Sequence, residues 1–198
     1  HLLLAAVGVR AEDRDIHRNI LGYTLWHHHA AKPDLLMFDF YPYQKGGDNL
    51  PNLAANLAII REEAEVAGVP FYAYVQTSAD GTYREPTVEE LQLNAHLTLA
   101  MGAKGIAYFL ICEHYEGWAY SNMITAKGEK TPLFDTVQTV NARLNAMKGV
   151  YLDYHSKGVI FCNYKGMSNA LARANCTSEL ESYRSLTAAS CNQRDKFA

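Results

Sequence analysis

Two hydrophobic rhythms alternate along this chain. Short apolar runs at 34–43, 70–77 and 105–112 read as strands, and the segments between them carry apolar residues every three or four positions. Leu53, Leu57, Ile60, Ala64 and Ala67 make one helical stripe, with Gly68 placed to stop it. Thr87 and Glu90 have capping-box spacing and open a second helix over 88–101, with Gly102 as its stop. Thr131-Pro132 opens a third, whose stripe is Leu133, Val137, Val140, Leu144 and Met147. Residues 1–9 read as a further strand. Residues 11–31 read as a polar and aromatic stretch with a helix, broken at Lys32-Pro33-Asp34 because proline disfavours helix in the residue before it. Gly46-Gly47 marks a loop, and Lys127-Gly128 a hairpin turn. A strand is expected over 158–163, and weak helix or coil from Met167 onward.

Strands alternating with helices imply parallel βαβ crossovers. The nearly unbroken apolar run 105–112 suits a strand buried on both faces. Each run ends in polar residues: Asp39 and Tyr41, then Gln76, then Glu113 and His114. The carboxyl ends of successive parallel strands are where a TIM (β/α)8 barrel keeps its active site, and a whole barrel takes about 250 residues. The expected fold is therefore α/β: the C-terminal half of such a barrel, strands five to eight, plus the start of a small β-rich appendage. Residues 1–150 would form the partial barrel, and 151–198 a short β segment with a weakly structured tail.

Composition narrows the possible partners. Apolar residues make up 48% of the 198 and charged residues 20%, as in ordinary globular proteins. A net charge of -3 gives no basic field for nucleic acid, and no run approaches the roughly 20 apolar residues of a membrane span. Cys112, Cys162, Cys176 and Cys191 lack metal-ligand spacing, and Cys112 reads as a small buried hydrophobe. A Cys176–Cys191 pair and the sequon at Asn175 both lean toward an extracellular or periplasmic protein, and neither settles it. His27, His28 and His29 point in different directions as consecutive residues, so no metal is expected. No cofactor is expected either: Gly46-Gly47 and Gly102 stand outside any phosphate-cradling pattern. Ser78 is not in a nucleophile elbow.

The remaining chemistry lies at the strand ends. Alternation puts Asp39 and Tyr41 on one side of their strand, and Tyr72, Tyr74 and Gln76 on one side of theirs. If those sides face a barrel axis, Asp39, Tyr41 and Gln76 meet at its rim, where Tyr and Gln suit sugar hydroxyls because both donate and accept hydrogen bonds. The competing reading has Asp39 capping a loop or pairing with a lysine or arginine. Glu113, His114, Glu116 and Trp118 combine carboxylates with an aromatic face, as in a carbohydrate subsite; Trp118 and Tyr120 equally suit a lid over the rim. Arg84 and Glu85 pair with each other or with the rim acids. The candidates are thus Asp39 and Glu113 for catalysis, and Tyr41, Gln76, Arg84, His114, Glu116 and Trp118 for substrate binding.

The segments 34–43, Tyr74-Val75-Gln76, 84–91 and 102–109 together resemble the C-terminal half of (β/α)8-barrel glycoside hydrolases. The resemblance is to the clan that includes the family 42 β-galactosidases and family 5 enzymes, and more closely to family-42-like barrel proteins of bacteria. It extends over 1–163. It implies a carbohydrate partner and action on O-glycosidic bonds. It also implies an acid/base glutamate after strand four, upstream of His1, and a nucleophile glutamate after strand seven. This chain has Gln76 at that second place, and an amide cannot act as a carboxylate nucleophile. Glycoside hydrolysis normally uses two carboxyl groups about 5–9 Å apart. The isolated chain is therefore expected to be inactive, with a missing N-terminal half or a homo-oligomeric partner completing the barrel. A non-catalytic glycan-binding or structural barrel protein is the alternative.

Overall fold

The computed structural model describes residues 33–112 and 121–156, Val159, and the backbone of strand β1 (Leu4–Gly8). The 11–31 helix, the histidine triplet, the 158–163 strand, Cys162, Cys176, Cys191 and Asn175 lie outside the described residues. The chain divides into two compact units, His1–Tyr154 and His155–Ala198.

The first unit is an α/β domain around a parallel sheet in the order β1-β2-β3-β4. Strand β2 is Leu35–Asp39, β3 is Phe71–Gln76 and β4 is Gly105–Phe109. Helices α1 (Leu50–Ala67), α2 (Val88–Ala100), α3 (Pro132–Ala146) and α4 (Lys148–Asp153) complete it. Register is continuous across the sheet: Gly8 pairs Asp39, Met37 pairs Tyr72, and Gln76 pairs Phe109. One set of carboxyl ends is thereby brought to the same edge.

Local signals decide where the helices begin and end. Gly68 takes φ 69°, and its N–H reaches Glu65 O while the Val69 N–H reaches Ala64 O, the paired bonds of a Schellman stop. Thr87 accepts from the Glu90 N–H, and the Glu90 carboxylate accepts from the Thr87 N–H, a complete capping box. Thr131 stands at the start of α3 but does not cap it with its side chain. Its hydroxyl donates to Asn122 O (2.6 Å) and Met123 O (3.2 Å) and ties the preceding turn to the helix. That turn forms at Lys127-Gly128, with Gly128 at φ 82° and an antiparallel bridge from Ile124 to Lys130.

Burial follows the two periodicities, with two corrections. Leu53, Leu57, Ile60 and Ala64 are buried along α1. Val75 joins Leu91, Ala95, Leu133, Val137 and Val140 in a core between β3, α2 and α3. Met147 does not continue the α3 stripe: the chain turns there into α4, and its side chain is 40% exposed. The run 105–112 is not a strand buried on both faces either. Pairing stops at Phe109, every residue of β4 is only half-buried, and Ile111 is 57% exposed. Among the described residues no strand pairs with the outer side of β4, so that strand has the cover of an edge. Cys112, just beyond, is half-buried rather than core.

Candidate functional site

At the carboxyl edge of the sheet the β2–α1 loop is held by an unusual staple. Gln76, the last residue of β3, is 1% exposed. Its Oε1 accepts from the Tyr43 N–H at 2.9 Å, and its Nε2 donates to Tyr43 O and Arg84 O, each at 2.9 Å. An amide suits this role because it offers donors and an acceptor on one planar group. Both N–H bonds are spent on backbone, so none remains for a ligand. Gln76 serves here to fix the two loops around Tyr43 and Arg84.

Arg84 reinforces the same junction. Its guanidinium forks onto Glu90 with two 2.7 Å contacts, reaches Asp48 at 2.7 and 2.8 Å, and lies 5.2 Å from the centre of the Tyr43 ring. The Tyr43 hydroxyl donates to Glu90 O at 2.6 Å. The pair expected with Glu85 or the rim acids is replaced by Asp48 and Glu90; Glu85 contributes only its carbonyl, at 3.5 Å. Arg84 hydrogen bonding holds the Glu90 carboxyl below its ordinary range, and burial opposes that shift. Backbone pairing of Lys45 N with Thr82 O and Arg84 N with Tyr43 O completes a short bridge between the loops.

Next to this rigid frame stand Asp39 and Tyr41, and here the hydrogen bonding is incomplete. Asp39 Oδ1 and the Tyr41 hydroxyl are both shielded from water, and neither completes a hydrogen bond. The hydroxyl lies near enough to Asp39 to favour its carboxylate, but burial outweighs this and raises the Asp39 carboxyl above its usual range. Burial, then the Asp39 charge, also raises the Tyr41 phenol. Among the described residues no lysine or arginine forms a salt bridge with Asp39. Aromatic rings flank Tyr41, which meets Tyr83 edge-on at 5.6 Å and Phe109 at 5.2 Å.

The strand-end set is thus partly assembled. Asp39 and Tyr41 come together, with Gln76 and Arg84 beside them as framework. Glu113, His114, Glu116 and Trp118 lie outside the described residues. Tyr83 and Phe109 were not anticipated as site residues. Phe109 ends an apolar strand and reads as core, while Tyr83 sits in a polar loop where nothing local marks it.

Other candidate groups are committed elsewhere. The Ser78 hydroxyl accepts from the Leu110 N–H at 2.8 Å, and Thr77 donates to Phe109 O at 2.7 Å, so both bind β3 to β4. No group of three or more His, Cys, Asp or Glu that could hold a metal occurs among the described residues. No helix among them is long and apolar enough to cross a membrane. Compared with known proteins, the chain matches no family model and no curated protein sequence.

Proposed function

We propose that this chain forms part of a (β/α)8 barrel related to glycoside hydrolases, and that its strand-end site binds a carbohydrate. The observation that carries the reading is the pair of water-shielded oxygens on Asp39 and Tyr41, which lie near one another without a well-formed hydrogen bond at the carboxyl end of β2, with the Tyr83 and Phe109 rings against Tyr41. Buried polar atoms are nearly always satisfied, and exceptions gather where a ligand supplies the missing partner. Hydroxyls held between hydrogen-bonding groups and ring faces are the chemistry of sugar recognition.

Topology supports the barrel half of the proposal. An open doubly wound sheet reverses its strand order, whereas this one runs 1-2-3-4 without reversal. Right-handed crossovers then put the helices on one face. Alternation leaves Met37, Tyr72, Tyr74, Gly105 and Ala107 on the other, large beside small, as in the packed interior of a barrel. Four further strands would close it, supplied by more of the same protein or by another copy. They would also cover the outer side of β4.

A second reading has its own observation. The staple formed by Gln76 leaves no carboxylate at the place where the related enzymes carry their nucleophile. This favours a barrel that binds glycans without hydrolysing them, or one that hydrolyses through other carboxylates such as Glu113.

Calorimetric titration with β-linked galactosides, glucosides and mannosides, alongside hydrolysis assays on nitrophenyl glycosides, tests both readings. Saturable binding with little or no turnover by the 198-residue chain is expected. No binding across the panel would end the carbohydrate proposal, and robust turnover would end the view that this chain is inactive alone.

A further inference from the structure

We propose that the cleft at the amino end of β4 is a second binding site, one that takes a small apolar carboxylate with a single ring or a short aliphatic chain. The inference is independent of the carbohydrate reading, because this cleft lies at the opposite end of the sheet from Asp39 and Tyr41.

The cleft is a gap in the packing of an edge strand. Gly105 and Ile106 open β4, and the C-terminal turns of α2 and α3, together with α4, surround that end of it. Leu99, Ile106 and Leu144 line the gap and stay half-buried, and Leu152 beside them is 58% exposed. Its volume is about 190 Å³. An apolar cavity of about 150 Å³ holds benzene, whereas drug-sized ligands occupy about 300–1,000 Å³. The fitting occupant is therefore small.

The polar groups around the gap select its charge. Lys104 and Lys148 both line it, and no aspartate or glutamate does. Lys104 is already committed, since its ammonium donates to the carbonyls of Tyr151, Leu152 and Tyr154 at 3.5, 3.2 and 2.6 Å. Lys148 is exposed, and no carboxylate among the described residues forms a salt bridge with it. Asn141 spends its Oδ1 on the Tyr108 hydroxyl at 2.7 Å, so what it offers a ligand is the N–H side of its amide. The Tyr151 hydroxyl is engaged as well, by His96 Nδ1 at 2.6 Å. A carboxylate thus meets an ammonium and an amide donor, while its apolar body takes Leu99, Ile106 and Leu144 out of water. A cationic ligand would face two lysines with no lining acid to offset them.

The test titrates the whole chain with benzoate, hexanoate, benzyl alcohol and benzylamine, read by amide NMR shifts and by thermal melts. Benzoate and hexanoate should shift the amides of Ile106, Leu144 and Tyr151 saturably, and should raise the melting temperature as their concentration increases. Benzyl alcohol should bind at least about threefold more weakly than benzoate, the worth of one partly exposed ion pair, and benzylamine more weakly still. Lys148→Gln should bring benzoate down to the level of benzyl alcohol. Asn145→Asp, which adds a negative charge to the lining, should weaken benzoate by a similar factor. Both positions are exposed, and circular dichroism confirms the fold of each variant before binding is compared. Absence of saturable shifts with millimolar benzoate and hexanoate, or shifts centred away from the amino end of β4, would overturn the site. Equal binding of benzoate, benzyl alcohol and benzylamine, or full benzoate affinity in Lys148→Gln, would overturn the carboxylate assignment. Neither result bears on glycoside binding, which is titrated separately.

Discussion

Replacing Gln76 with glutamate would install a carboxylate at the end of β3, and the staple predicts that the protein will resist it. The wild-type amide is 1% exposed and makes three 2.9 Å bonds, two donated to Tyr43 O and Arg84 O and one accepted from the Tyr43 N–H. Gln76→Glu keeps the acceptor and, when ionised, loses both donors. The Arg84 carbonyl then loses its described partner while the Tyr43 carbonyl keeps the Arg84 N–H, so about 1–3 kcal/mol is lost at neutral pH. A typical domain has only about 5–15 kcal/mol in all. Burial raises the introduced carboxyl above its unfolded value, so the folded state binds the proton more readily than the unfolded state. Stability is therefore greatest at low pH, where one donor is restored, and is lost as pH rises from the unfolded value through the raised folded one. Urea unfolding followed by circular dichroism in mildly acidic and neutral buffer reads both effects. A variant as stable as the parent at neutral pH would refute the staple, and glycosidase activity gained by that variant would refute the framework role of Gln76 altogether.

Other predictions follow from equally local geometry. Adding a methyl group at Gly105 would bring it against the Tyr72 ring, within 2.7 Å of Cδ2 and Cζ, so Gly105→Ala should cost about 1–3 kcal/mol in denaturant melts. The double variant with Tyr72→Leu should recover part of that loss, and full additivity would contradict the clash. Arg84→Ala should cost about 1 kcal/mol, since its partners are partly exposed, and Arg84→Lys should not restore the fork onto Glu90. Because Arg84 lowers the Glu90 carboxyl, that contribution is present above about pH 4.5 and fades as pH falls through the lowered value. His96 accepts or donates at Nδ1 to the Tyr151 hydroxyl at 2.6 Å, and burial, then Arg143, lowers its ring below the ordinary imidazole value of 6.5. The folded state therefore binds this proton less readily, and thermal stability should drop as pH falls from about 6.5 toward the lowered value. His96→Gln should flatten that slope, and an unchanged slope would rule His96 out as its source.

The sequence by itself determined the elements whose signals are local. The Thr87–Glu90 capping box, the Gly68 stop and the turn at Lys127-Gly128 each depend on residues a few positions apart, and their geometry is dictated by hydrogen bonding within that span. The shared side of Asp39 and Tyr41 was legible for the same reason, because side chains in a strand alternate. What Gln76 and Arg84 do was decided only by tertiary structure. Gln76 meets Tyr43 across 33 positions, and Arg84 meets Asp48 across 36, so no local pattern distinguishes a rim ligand from a staple. The half-covered state of β4 was likewise a tertiary outcome. Its apolar run records a preference for burial, but burial requires a neighbour, and among the described residues no strand lies along its outer side.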